Sequence, residues 1–443
     1  MTSTRPGLSA AIVFAVSAAA GTVAAQTVTP LTLERAVEMA LATSHRLAEL
    51  DARREGAAAA VETRRLGDHP TIAALAGYTR TNHVDEFGIT MPTGATRIIY
   101  PDVPDNARTR IDLQWPIYTF GRFDALERAA RAEVRAAQGD IATARRDLAL
   151  EVTRAFWAVV TARASVGVLG ESLARMDASL VDVRNRLDVG LVPPSDVLSI
   201  EAQRARQQML LIRARNTFEQ TLTDLRYLTG QAPGAPIEIL ARLEEPRSPA
   251  PTTTGTLLAD ALTNRPERGA MTARIEGTEQ RLQAALANRR PVIGLGAGVD
   301  YARPNTRIFP RAAEWNPSWD VSVNLTWTLW DGGKVKAETA EVTAAQRAAR
   351  ERLADFDARL AADITRSTLE VDSARAVVTA TDEAVRAATE ARRVVGERFD
   401  AGVATSTEVL DAQVALLQAQ LDRTQALAVV RLAEARLDWA LGR

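Results

Sequence analysis

Residues 319–334 read WDVSVNLTWTLWDGGK. Trp319, Val321, Val323, Leu325, Trp327 and Leu329 are apolar, and Asp320, Ser322, Asn324, Thr326 and Thr328 between them are polar. A period of two is a strand with one apolar and one wet face. Directly after Asp331, Gly332 and Gly333 the chain turns rich in Ala, Arg, Glu and Leu for more than 60 residues without an internal turn signal, which is helix composition. The same hand-over from strand to long helix occurs at residues 111–122, with Ile111, Leu113, Trp115 and Ile117 on the apolar side.

Working outward from these junctions gives one order of elements, twice. Thr32 to Leu66 reads as helix stopped by Pro70, followed by a strand from Thr71 to Thr79, a polar loop from Arg80 to Arg108 and a returning strand from Thr109 to Phe120. A helix then runs from Gly121 to Asp188, a turn holds Gly190 and Pro193, and a second helix runs from Asp196 to Leu228. In the second copy the helix is Thr256 to Arg290, the strand Val292 to Tyr301, and the loop Ala302 to Pro317. The long helix there is Gly333 to Asp400, the turn holds Gly402, and the last helix is Thr407 to Leu441. Trp115 and Trp327, Gly121 and Gly333, Gly190 and Gly402, Leu198 and Leu410, and Gly230 and Gly442 are all 212 positions apart, so the copies align without a gap. The domain division is therefore 26–230 for the first repeat (hairpin 71–120, helices 121–230), a Pro- and Gly-rich linker at 231–254, and 255–443 for the second (hairpin 292–331, helices 333–442).

Lengths turn this order into a shape. The helix from Gly121 to Asp188 is roughly 100 Å long at about 1.5 Å per residue, and the return from Asp196 covers roughly half of it. Stacking each return helix under the opening helix of the other repeat makes a column as long as the uninterrupted helix. Leu353 and Leu360, then Ile364, Val371, Val378 and Val385, recur at sevens, the seam of a coiled coil. Four strands per chain cannot close a barrel by themselves; oligomerisation would close it, with Asp320, Ser322, Asn324, Thr326 and Thr328 facing a wet lumen and Val, Leu and Trp facing lipid, the alternative being an ordinary sheet with one face buried on a helix.

Bulk properties agree with export. The first 25 residues carry one charge, Arg5, then an apolar run from Leu8 to Ala20, which reads as a signal peptide cleaved before Gln26. No cysteine is present, which excludes disulfides, a thiol nucleophile and a lipidated N-terminal cysteine. The net charge is −1, which gives no support for nucleic-acid binding. Beyond residue 25 no run of 18 to 20 continuous apolar residues is found, so a place in a membrane means a β-barrel.

The Trp-Thr-Leu-Trp-Asp-Gly-Gly-Lys strand end, the turns around Gly190 and Gly402 and the duplication together resemble the TolC-like outer membrane efflux proteins over essentially the whole mature chain. The resemblance implies a mainly α fold with membrane β structure: a long-helix α-barrel continuing a trimeric 12-stranded β-barrel, four strands coming from each chain in two tandem repeats. It implies an outer-membrane exit duct of a tripartite efflux pump or type I secretion system. The partners it implies are a homotrimer, a periplasmic adaptor (membrane fusion) protein, an inner-membrane transporter of RND or ABC type, and outer membrane lipid, with no nucleic acid and no cofactor. By position it places adaptor docking and the periplasmic tip at Gly190, Leu191, Pro193, Gly402 and Val403, and an acidic constriction at Asp196, Glu408 and Asp411. Trp115, Tyr118, Trp327 and Trp330 are the expected membrane-interface aromatics. The basic latch position two after the second glycine is Ala404, which implies a latch that is either weaker or built from other residues, such as Arg186 or Arg398. An acid in a first helical turn also suits the helix dipole, which applies to Asp196 and Glu408 but less to Asp411.

No enzyme site stands out. His45, His69 and His83 are scattered, without a second ligand at metal spacing. Gly294, Gly296 and Gly298 superficially resemble a phosphate loop but lie inside a strand with no helix following. The alternative from another class is a periplasmic adaptor-type coiled-coil protein, against which stand the two full repeats, each with its own amphipathic hairpin.

Overall fold

The computed structural model describes residues 30–244 and 254–443, so the signal peptide expected at 1–25 and part of the 231–254 linker lie outside the described residues. Chain order is α1 (Leu33–Thr43), α2 (His45–Arg65), β1 (Thr71–Arg80), β2 (Phe87–Thr90), β3 (Thr96–Tyr100), β4 (Asp105–Tyr118), α3 (Arg122–Asp188) and α4 (Pro194–Leu228). The second half repeats it: α5 (Thr254–Asn264), α6 (Pro266–Ala287), β5 (Val292–Arg303), β6 (Asn316–Thr326), α7 (Lys334–Asp400) and α8 (Ser406–Ala440).

Three local expectations are corrected. Each opening helix is broken in two. Ser44 is extended and its hydroxyl accepts from Leu47 N at 3.4 Å, starting a new helix. Arg265 is extended because Pro266 follows it and takes the first helical position. The polar loop at residues 81–104 contains a further hairpin, β2–β3. Strand β6 ends at Thr326 rather than Leu329, since the next residue, Trp327, turns to donate its indole N–H to Arg289 O at 3.0 Å. Trp115, 212 positions earlier, does the same to Asp68 O at 2.8 Å, so both tryptophans tie a strand end to the close of the preceding helix.

The stacking of the short helices also differs from expectation. Gly230, past the end of α4, lies against Thr43 of α1, and Leu222 and Leu225 share a core with Ala36 and Ala40. Gly442, past α8, lies against Asn264 at the end of α5, and Leu441 packs on Leu257 and Ala261. Each return helix therefore meets the opening helix of its own repeat, not of the other. The reason is that both lie along the same long helix: α1, α2 and α4 on α3, α5 and α8 on α7. The repeats are joined laterally instead, with α6 and α8 each packing on both long helices.

One stretch of α3 is apolar and long enough to cross a bilayer by composition. Packing uses it otherwise: Val152, Phe156, Val159 and Val160 are buried with Leu31, Leu225, Ile239 and Leu243. The described part of the linker straps this region. Arg163 donates to Ala241 O at 2.6 Å, and Arg431, over the Trp157 ring at 5.1 Å, donates to Leu243 O at 3.1 Å.

The four main strands form one antiparallel sheet in the order β1-β4-β5-β6, open at β1 and β6. Its register separates two faces. Ile72, Tyr78, Ile111, Leu113, Trp115, Leu295, Val299, Trp319, Val321, Val323 and Leu325 lie on one face, most of them exposed. Arg108, Arg110, Asp112, Gln114, Asp300, Asp320, Ser322 and Asn324 lie on the other.

At the passage from β6 to α7, Asp331 accepts from Gly333 N and Val335 N, both at 2.8 Å, and these backbone donors hold its carboxyl below the usual aspartate range. A folded value below the unfolded one stabilises the junction above the ordinary aspartate range and stops doing so as pH falls through the folded value. Asp331→Ala is expected to lower the melting temperature near neutral pH, with the deficit against wild type narrowing as pH falls below the ordinary aspartate range. A deficit independent of pH in paired thermal melts excludes this role for the carboxylate.

Candidate functional site

The two helical turns at the end farthest from the sheet are built alike. Gly190, at φ 75°, donates to Leu187 O and Leu191 N donates to Arg186 O. Gly402, at φ 74°, donates to Phe399 O and Val403 N donates to Arg398 O. This is the Schellman closure, whose left-handed residue is cheapest as glycine. Pro193 precedes α4 and Pro194 takes its first position. Thr405 caps α8 by accepting from Glu408 N at 3.3 Å, and its hydroxyl also reaches the Glu408 carboxylate at 3.4 Å. Leu191, Val403 and Val189 are exposed apolar side chains on these turns.

Behind the turns the two hairpins of the chain are clamped together. Met176, Leu180, Val183, Val197 and Ile200 form a buried cluster that receives Phe399 and Leu410 from the second hairpin. Arg186 of α3 lies over the Phe399 ring at 4.4 Å, donates to Asp400 Oδ1 at 2.7 Å and to Asp182 Oδ2 at 3.0 Å, and reaches Phe399 O. Ser406 Oγ donates to Asp196 Oδ2, and Gln413 Nε2 donates to Ser179 Oγ at 2.8 Å. With Ala404 in the basic position, Arg186 supplies the cation that joins the hairpins, while Arg398 contributes its carbonyl to the turn.

The three acids named from sequence differ in their surroundings. Asp196 is partly buried and bonded to Ser406; Glu408 belongs to the helix cap; Asp411, one turn further along α8, is exposed and has no hydrogen bond or ion pair among the described residues. Glu408 and Asp411 are three apart and share a helix face. The four aromatics all sit at the end of the sheet that meets the helices. Trp115 and Trp327 make the bonds described above, Tyr118 packs edge-on to Phe120 at 4.5 Å, and Trp330 is exposed.

A charged cluster on the polar sheet face escaped the sequence reading. Arg110 donates to Asp112 at 2.6 Å, to Asp320 at 2.9 and 3.2 Å and to Asp300, so one guanidinium spans β4, β5 and β6. It crosses directly over Gly298, where a Cβ would collide with the guanidinium, and this accounts for that glycine better than any phosphate loop. The signal was present as Arg108, Arg110 and Asp112 at inward parity, facing acids two strands of sequence away.

The family model described as outer membrane efflux protein matches residues 36–231 and 257–443. Protein CyaE of Bordetella pertussis is 27% identical over 91% of this chain and 84% of its own length. Outer membrane protein TolC of Vibrio cholerae is 25% identical over 88% of this chain and 86% of its own. Among solved structures, the outer membrane protein VceC of Vibrio cholerae superposes with a TM-score of 0.77 at 20% identity, covering 93% of this chain and 96% of that one.

Proposed function

This chain belongs to the outer membrane efflux protein family, and from that premise we propose that three copies close a 12-stranded barrel and a helical tunnel that together form one passive duct. It is an outer-membrane efflux channel of the kind used by tripartite pumps and secretion systems, with its helices in the periplasm. The observation that carries the trimer is the open four-stranded sheet: β1 and β6 are unpaired edges, one face is apolar and the other polar. An exposed edge of this length pairs with another chain, and a barrel removes all edges at once. Each chain contributes its repeats, 26–230 and 255–443, as two half-units of the wall.

At the periplasmic tip, Leu191, Val403 and the glycine turns around them are the proposed docking surface for a periplasmic adaptor, which links the duct to an inner-membrane transporter of RND or ABC type. Asp411, exposed and unpaired, is the proposed constriction acid, with Glu408 beside it. Asp196 acts through its bond to Ser406, holding the hairpins in place. No chemistry of its own is assigned to the chain, since duct and docking surface account for the residues singled out.

Planar-bilayer recording tests this reading. Purified protein is expected to form water-filled channels that multivalent cations block from the tip side. Asp411→Asn removes one charge per protomer, each worth about 1 kcal/mol at about 4 Å in water, so the blocking affinity is expected to fall by at least about fivefold. Unaltered block moves the constriction away from Asp411; absence of any channel contradicts the duct.

A further inference from the structure

The loop between β5 and β6 does not stand away from the barrel wall. Asn305 is buried, donates to Asn316 O at 2.9 Å and to Ser318 Oγ at 3.0 Å, and accepts from Arg307 N at 3.0 Å. Arg307 then reaches back along the polar face, donating to Trp319 O at 2.7 Å and to Asp320 Oδ1 at 2.9 Å. The loop is thus folded onto the same face that carries Arg110, Asp300 and Asp320. A cavity of about 420 Å³ lies beside it, with Arg108, Arg110, Arg307 and the carboxylate of Asp300 in its lining together with Gly77 and Thr79 of β1.

The charges of this cluster are unequally presented. Asp300 has only 7% of its side chain exposed and lies under Arg108 and Arg110. Arg108 and Arg307 are 59% and 46% exposed. Arg108 binds Asp300 through Nε at 2.5 Å, and its two terminal nitrogens have no partner among the described residues. Asp300 is buried, Asp112 and Asp320 are 20% and 28% exposed and all three are bonded to arginine, so Arg108 and Arg307 are the most exposed charges of a cluster that is neutral by formal count. A free guanidinium edge, which Arg108 keeps, matches an oxyanion, carboxylate or phosphate, in two-point geometry, while Arg307, with both terminal nitrogens already engaged, adds its charge beside it.

We infer that Arg108 and Arg307 form an oxyanion-binding collar at the outer end of the lumen, positioned by the inward-folded β5–β6 loop and repeated in each protomer. This rests on the barrel reading above, in which the polar face is the lumen. The collar retains or selects solutes carrying acidic groups as they leave the duct, at the opposite end from the acids of the tip.

The test is citrate block of single channels in planar bilayers. Heat-modifiable trimer and ohmic conductance in chloride are recorded first for each protein. Citrate on the loop side is expected to block wild type more strongly than citrate on the tip side. Arg108→Gln and Arg307→Gln are each expected to weaken that block on the order of tenfold. Arg108→Lys keeps the charge without the fork, assembles with the same ion pair to Asp300, and is expected to fall between. Wild-type channels indifferent to citrate, or variants blocked as strongly as wild type, overturn the collar. A wild-type protein that forms neither trimer nor channel overturns the barrel reading itself, which is a separate result.

Discussion

Val321→Arg is expected to abolish assembled channel in the outer membrane. Val321 lies midway along β6 on the apolar face, 62% exposed, between Trp319 and Val323, which are exposed alike. An arginine facing lipid at the middle of a barrel strand costs about 2–4 kcal/mol, falling to about 0–1 kcal/mol near either interface. Three copies bring the penalty to about 6–12 kcal/mol per assembly, comparable with the whole stability of a typical domain, about 5–15 kcal/mol. Ser322→Arg is the control. Ser322 pairs with Gly296 on the polar face, where the neighbouring Gly298 already accommodates the guanidinium of Arg110. Heat-modifiable trimer in the outer-membrane fraction is expected to vanish for Val321→Arg and persist for Ser322→Arg. Leu325→Arg, nearer the end of the strand that meets the helices, is expected to be milder than Val321→Arg. Equal tolerance on both faces sinks the assignment of lipid and lumen.

Arg186→Ala is expected to open the tip. This one side chain stacks on Phe399, binds Asp400 and Asp182, and reaches the Phe399 carbonyl. It is mostly buried, whereas Asp400 is largely exposed, so solvent screens the ion pair and most of the effect comes from stacking and the guanidinium geometry. A loss of about 1–2 kcal/mol per protomer shifts the balance between joined and parted hairpins roughly five- to thirtyfold. Single-channel conductance is expected to rise, with Arg186→Lys intermediate because an ammonium does not stack or fork as a guanidinium does. Conductance equal to wild type in Arg186→Ala shows that the clamp does not limit the opening.

Much of the fold was legible in the sequence because its signals are local. Alternation around Trp319 and Ile111 gave the sheet faces, composition gave the long helices, and the 212-residue spacing gave the repeat. What stayed hidden depends on contacts between distant residues. The stacking of α4 on α1, shown by Gly230 against Thr43, is decided by which helices share α3, and no periodicity records that. The breaks at Ser44 and Arg265 cost a capping bond and a proline, weak signals inside strong helical composition.

The functional residues divide in the same way. Gly190 and Gly402 announce themselves, because a glycine at a helix end before a fresh capping residue has a local meaning. Sequence offers Arg186 and Arg398 alike for the tip cation, and the packing of Phe399 under the Arg186 guanidinium, with its bond to Asp400, separates the two. Arg110 carries no local signal because its partners Asp300 and Asp320 are 190 and 210 positions away, brought near by the order β4-β5-β6. Gly298 makes that meeting possible and, in the sequence, looked like a fragment of something else.

The most direct measurement of the central claim is the native mass of the protein solubilised from the outer-membrane fraction. A single species of three times the mass of one chain is the expected result, since four strands from each of three chains make the closed barrel. A monomer, or an assembly of any other number of copies, contradicts the account.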